Sequence, residues 1–216
     1  MKYLIVFLWF VSTWTAVKAQ DMANFFVRMP DEYIFSLESE WRKDLVELYK
    51  AGKPAALDNV MQGRSVLLKL TADYLLLQST ERSTVEMKFL PLINNTYITC
   101  VVTTVHAPVA DSRVAFFTTD WQPLNAVELW KPAVSGQFVR TDVDVRDEAY
   151  AEALSLLDLL LVHYRLSADD ATLTAEYTTP AYLNAEEREK VKPFLKAAPM
   201  IYRWQTGRFV FEPAEP

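Results

Sequence analysis

Thr96-Tyr97-Ile98-Thr99-Cys100-Val101-Val102 is the stretch on which the fold turns. Successive side chains of a strand point to opposite faces, so Ile98, Cys100 and Val102 share one side. Val101 and Val105 occupy the other, so neither face is polar. That pattern predicts a central strand over 96–106, covered on both sides. Outward from it, the period of two continues over 66–70, 73–79, 83–91 and 112–119, rich in Val, Leu, Thr and aromatic residues. Asn94-Asn95 reads as a turn, and Pro108 with Asp111-Ser112 breaks the next pair of strands. Neighbouring strands joined by short links predict an antiparallel meander.

The flanks read as helix. Leu37, Trp41, Leu45 and Leu48 recur at helical spacing, with Ser39 at the start and Gly52 past the end. Pro54 opens a second short helix to about Gln62, and residues 20–35 read as an irregular lead. After the meander, Trp121, Pro123, Trp130, Pro132 and Gly136 mark a connection with one edge strand at 126–130. A helix is predicted over about 147–158, then a hairpin of 159–167 with 172–178. The best-marked helix start follows: Asn184 as cap and Glu187 three residues on, so that each satisfies a free backbone donor. Met200–Trp204 and Arg208–Glu212 form the last hairpin. The expected class is α+β, antiparallel sheets with helices packed on one face. Its parts are 20–125, a connection at 126–146, and 147–216, continuous with the first as one globular unit. Helices precede hairpins in both halves, but no residue-level repeat relates them.

The N-terminus reads as an export signal. Lys2 gives a positive start, Leu4–Val11 an apolar run, and Val17-Lys18-Ala19 a cleavage site before Gln20. The run is shorter than the roughly 20 apolar residues a bilayer span needs. Cleavage removes two lysines and no acid, moving the formal charge from -6 to -8. No Lys/Arg-rich run offsets that charge, which argues against a nucleic-acid partner. Cys100 is the only cysteine, so no internal disulfide forms, and its apolar strand predicts a buried thiol.

Thr71-Ala72-Asp73-Tyr74-Leu75, Ser83–Lys88, Asp111-Ser112-Arg113 and Thr118–Leu124, with the leading Met29-Pro30-Asp31, together resemble a family of exported Bacteroidales proteins of unknown function. The resemblance is strongest over 65–124 and fades after 146. It implies a Gram-negative periplasmic or secreted location and no particular reaction.

Residues with catalytic or metal-binding chemistry to offer are few. His106, Asp111 and Ser112 are the members of a Ser-His-Asp relay, but no nucleophile elbow accompanies them. Asp111 and Ser112 also suit a turn. His163 stands alone, and two histidines with one thiol, far apart in sequence, make a poor zinc site. Asp142, Asp144, Asp147 and Glu148 lack the glycine and ligand alternation of a calcium loop and read as the acidic start of a helix. No metal or cofactor is expected. Trp121, Trp130 and Tyr182 are the candidate binding residues, because exposed rings serve protein interfaces and stack on sugars; core filling competes with that reading for each. The leading function is a non-catalytic binding or scaffold protein, its partner another envelope protein or a glycan. A hydrolase of glycan or peptide, using unidentified carboxylates, and a carbohydrate-binding module are the alternatives. Protein recovered from the envelope should begin at Gln20; mass spectrometry finding Met1 on it would contradict the export reading.

Overall fold

The structure, a computed structural model, describes residues 21–94 and 96–212. The export signal over 1–19 and Asn95 of the expected turn lie outside the described residues. The meander is present as β1 (Ala56–Asp58), β2 (Arg64–Leu70), β3 (Tyr74–Thr80), β4 (Ser83–Pro91), β5 (Tyr97–Val105) and β6 (Asp111–Phe117). These form one six-stranded sheet in chain order, antiparallel throughout. β5 is interior, between β4 and β6, and is covered on both faces over Ile98–Val102, while Thr103 and Val105 at its far end are exposed. Cys100 is fully buried beside Ile98 and Val102, and burial pushes its thiol pKa up.

One face of this sheet carries helices. α1 (Met22–Val27) and α2 (Ser39–Lys50) set Met22, Phe25, Phe26, Leu45 and Val46 on Leu75, Leu77, Val85, Met87 and Phe89. Full burial of one such side chain is worth about 2 kcal/mol. α1 was not legible as a helix: it has six residues, capped where Asp21 accepts the Ala23 N–H. In α2, Ser39 is the first helical residue and Glu38 the cap, with no capping side chain. Arg42 does other work. It is fully buried, and its guanidinium binds Asp31 at 2.9 Å, the Leu37 carbonyl at 2.6 Å and the Met29 carbonyl, pinning the segment from 28 to 37 against α2.

The opposite face meets a second sheet, of order β10-β9-β8-β7, built from β7 (Val162–Leu166), β8 (Thr172–Tyr177), β9 (Met200–Gln205) and β10 (Arg208–Glu212). Tyr74, Leu90, Ile98, Cys100, Val102 and Phe116 of the first sheet pack with Val162, Tyr164, Leu166, Leu173, Tyr202 and Phe209 of the second. α5 (Glu148–Ser155) and α7 (Ala185–Val191) share a small outer cluster around Ala153, Leu157 and Val191. The Asn184–Glu187 capping box forms as expected.

Two expected elements are corrected. Residues 54–62 are not a helix: Ala56–Asp58 pairs with Arg64–Val66, and Asn59 folds the link by accepting the Met61 and Gly63 N–H groups. A segment that short gains more from a ready strand than from nucleating a helix. Residues 126–130 are not an edge strand. Asn125 accepts the Val127 N–H and starts the short helix α3 (Ala126–Leu129). α4 (Ser135–Phe138) and α6 (Thr179–Tyr182) are further single turns. Among the described residues, no helix is long and apolar enough to cross a membrane.

The two sheets are joined by polar groups as well as apolar ones. Glu86 and Lys88 lie on the β4 face that meets the second sheet, and both are buried. Glu86 accepts the Leu166 N–H at 2.9 Å and the Tyr74 hydroxyl at 3.1 Å. Lys88 donates to the Ala168 carbonyl at 3.0 Å and pairs with Asp73 at 2.9 Å. Burial holds the Glu86 carboxyl above its ordinary range, and the bonds from Leu166 and Tyr74 oppose that shift. Glu86→Ala should cost about 2–4 kcal/mol in chemical denaturation, because two buried donors lose their acceptor. The folded chain holds this proton more tightly than the unfolded chain. Stability therefore falls as pH rises from the ordinary carboxylate range to the higher folded-state value, and Glu86→Gln should remove that part of the slope. Equal slopes in the two proteins would contradict the assignment.

Candidate functional site

The segment held by Arg42 crosses the helix-bearing face of the large sheet where α1 and α2 do not reach. Its single 3-10 turn, Asp31–Tyr33, presents Tyr33 toward Phe117 and Trp121. Trp121 sits just beyond β6 in a turn tied by Thr118, whose hydroxyl accepts the Asp120 and Gln122 N–H groups. Its φ is +61°, a left-handed conformation that a bulky residue adopts only when its surroundings hold it. They do so here. The indole stacks on Phe25 at 4.1 Å and on Tyr33 at 5.7 Å, and meets Phe117 at 5.1 Å. Its N–H donates to the Phe25 carbonyl at 3.0 Å.

Below this aromatic wall the sheet is uncovered. A groove of about 580 Å³ runs over Val101, Thr103 and Val105, bounded by Tyr33, Phe117 and Trp121, with Glu32 and Arg113 also lining it. Tyr33 is 39% exposed and Val105 51% exposed, so ring and floor are both accessible. Phe35, 79% exposed, follows Tyr33 by two residues. Predominantly apolar grooves with a few polar groups are where ligands and partner side chains bind.

The residues picked from sequence fare differently. Trp121 is buried and serves as the groove's inner wall, not as a free ring. Trp130 is buried on the other side of the large sheet, edge-on to Tyr164 and Tyr202. Tyr182 is exposed on α6 and does not line that groove. The structure does not bring the three together. Tyr33 and Arg113 were missed; the cue available was an aromatic Tyr33-Ile34-Phe35 run following the helix-breaking Pro30.

The relay residues are engaged elsewhere. Asp111 accepts the Val162 N–H at 3.2 Å, and Ser112 accepts the Tyr164 N–H at 3.0 Å while bonding Thr104 at 2.8 Å. His106 Nε2 bonds the Thr84 hydroxyl at 2.9 Å. The two histidines do meet, edge to face at 5.6 Å, across the junction of the sheets. Burial, then Arg165 and His106, lowers the His163 pKa. Of the acidic stretch, Asp147 caps α5, and Asp142 and Asp144 pair with Arg140 and Arg146. Among the described residues no group of three or more His, Cys, Asp or Glu side chains is placed to hold a metal.

A family described as "Protein of unknown function (DUF3256)" matches residues 14–209. The chain belongs to the DUF3256 family. No curated protein matches it. Among solved structures, one described as a domain of an uncharacterized protein from Porphyromonas gingivalis W83 is similar at 31% identity and a TM-score of 0.80. The likeness covers 88% of this chain and 98% of that one. The α+β fold of two antiparallel sheets is thus shared, and the resemblance read over most of the chain, strongest over 65–124, holds beyond residue 146 as well in this DUF3256 chain.

The aromatic wall separates two kinds of substitution in this DUF3256 protein. Trp121→Ala should cost about 3–5 kcal/mol, since it removes a buried ring, a hydrogen bond and the anchor of α1. Tyr33→Ala, at a half-exposed ring, should cost about 1 kcal/mol. Denaturant midpoints measure both, and equal losses would contradict the division into wall and accessible ring.

Proposed function

We propose that this protein is a non-catalytic binding protein of the bacterial envelope, and that the groove under Tyr33 is its docking site. The observation that carries the reading is an uncovered sheet face beside a rigid aromatic wall. Tyr33 is supported from behind by Trp121 and Phe25, so a ligand meets a ring that is already ordered, which lowers the entropy cost of binding. Most of the lining is apolar, and Glu32, Asp111 and Arg113 supply charges of both signs. That composition suits an apolar side chain of a partner protein flanked by polar groups, and favours a protein over a sugar. A non-catalytic role fits the use of Asp111 and Ser112 as acceptors for backbone donors of β7, which leaves His106 without a nucleophile or an orienting acid. The periplasmic or secreted location rests on the N-terminal sequence and on the resemblance to exported Bacteroidales proteins read from the sequence.

Affinity capture from detergent-solubilised envelope tests this. Wild-type protein and the Tyr182→Ala variant should retain the same partner. Tyr33→Ala and Arg113→Glu should lose it while unfolding at nearly the wild-type denaturant midpoint. Capture that is equal for all four proteins, or absent for the wild type, would defeat the proposal.

A further inference from the structure

A second surface has different chemistry. β10 is the outermost strand of the smaller sheet and pairs only with β9. It follows a two-residue hairpin in which Thr206 and Gly207 both have positive φ, at 48° and 87°. In such a hairpin the flanking pair Arg208–Gln205 is hydrogen-bonded, so Val210 and Glu212 also face β9. Phe209 and Phe211 then turn their backbone N–H and C=O groups outward. Among the described residues these groups have no hydrogen-bond partner outside the β9–β10 ladder.

A groove of about 510 Å³ follows that edge. It is lined by four consecutive β10 residues, Arg208 to Phe211, and on the other side by the stretch from Val127 to Pro132. Consecutive residues of a strand point to opposite faces, so a groove touching all four reaches the edge, and it extends inward over Tyr202 of β9. Lys131 and Arg208, both exposed, flank it, and neither has an ion-pair partner among the described residues. Glu128 is the one acid in the lining. The Tyr202 hydroxyl, buried beneath, has no hydrogen-bond partner among the described residues. In a chain of net charge -6, two cations against a single acid give the lining of this groove a local positive balance beside a strand edge.

We propose that the β10 edge takes up an extended, acidic segment of another polypeptide by strand addition. The incoming backbone pairs with the outward groups of Phe209 and Phe211, its carboxylates meet Lys131 and Arg208, and alternate side chains enter the groove beside Trp130. This proposal is independent of the groove under Tyr33.

The test is titration of isotope-labelled full protein with two capped pentapeptides, Glu-Val-Thr-Val-Glu and Lys-Val-Thr-Val-Lys, followed by amide NMR. The acidic peptide should shift the Phe209 and Phe211 amides and slow their hydrogen exchange, and the basic one should bind about tenfold more weakly. Phe211→Pro removes an outward donor that the ladder does not use, and should abolish the response with the spectrum otherwise intact. Should that variant misfold, the double change Lys131→Glu with Arg208→Glu decides instead, by reversing the preference between the peptides. Tyr33→Ala should bind the acidic peptide as wild type does. No shift at millimolar peptide, or no difference between the peptides, overturns the proposal. So does a dimer in sedimentation equilibrium that Phe211→Pro dissolves, because the occupant would then be a second copy of this chain.

Discussion

Strand β7 is an edge strand whose outward N–H groups are filled by side chains of another sheet. Val162, Tyr164 and Leu166 donate to Asp111, Ser112 and Glu86 at 3.2, 3.0 and 2.9 Å. The spacing of two along β7 is the spacing of its outward backbone groups, so each free donor receives one acceptor. A bare edge invites pairing with other chains, and covering it is a common protein solution. Here the cover also fixes the relative position of the sheets, because the acceptors come from β4 and β6 at defined heights. Burial of Glu86 depends on the same arrangement: without the Leu166 N–H and the Tyr74 hydroxyl, its oxygens would be stranded in an apolar interface.

This constraint explains which parts of the molecule remain open. Asp111, Ser112 and Glu86 would otherwise be candidates for chemistry, and the joint between the sheets uses all three. The large sheet is uncovered over Thr103 and Val105, where the groove under Tyr33 lies and reaches Asp111 and Ser112 at the rim of the joint. The small sheet keeps one uncovered edge, β10, at the opposite end from β7. Both openings follow from the way the two meanders are closed on each other.

Much of the architecture was legible from residues alone. The strands of the large sheet were marked by alternation, and β5 by apolar residues on both faces. Asn184 with Glu187 marked α7 because capping is a local interaction. What could not be read was pairing at a distance. Glu86 and Lys88 alternate with Val85, Met87 and Phe89, a pattern that in isolation denotes a solvent face. Only contact with residues 80 positions later makes that face an interior. The 54–62 error has the same origin, since the hydrogen bonds of Ala56–Asp58 go to a strand whose proximity local propensity does not encode. For the site, Trp121 was read as an accessible binding ring, whereas its place as inner wall depends on Phe25 and Tyr33, nearly a hundred residues earlier in the chain.

The central claim is that the large sheet's side chains lock the β7 edge, making the two sheets a single cooperative unit. Native-state hydrogen exchange of individual amides addresses it directly. If the account is right, the Val162, Tyr164 and Leu166 amides, which lack strand partners, exchange only through global unfolding, with the same free energy as the interior amides of β4 and β5. Exchange of these three through a smaller, local opening, while β4 and β5 stay protected, would show that the second sheet undocks on its own and would contradict the account.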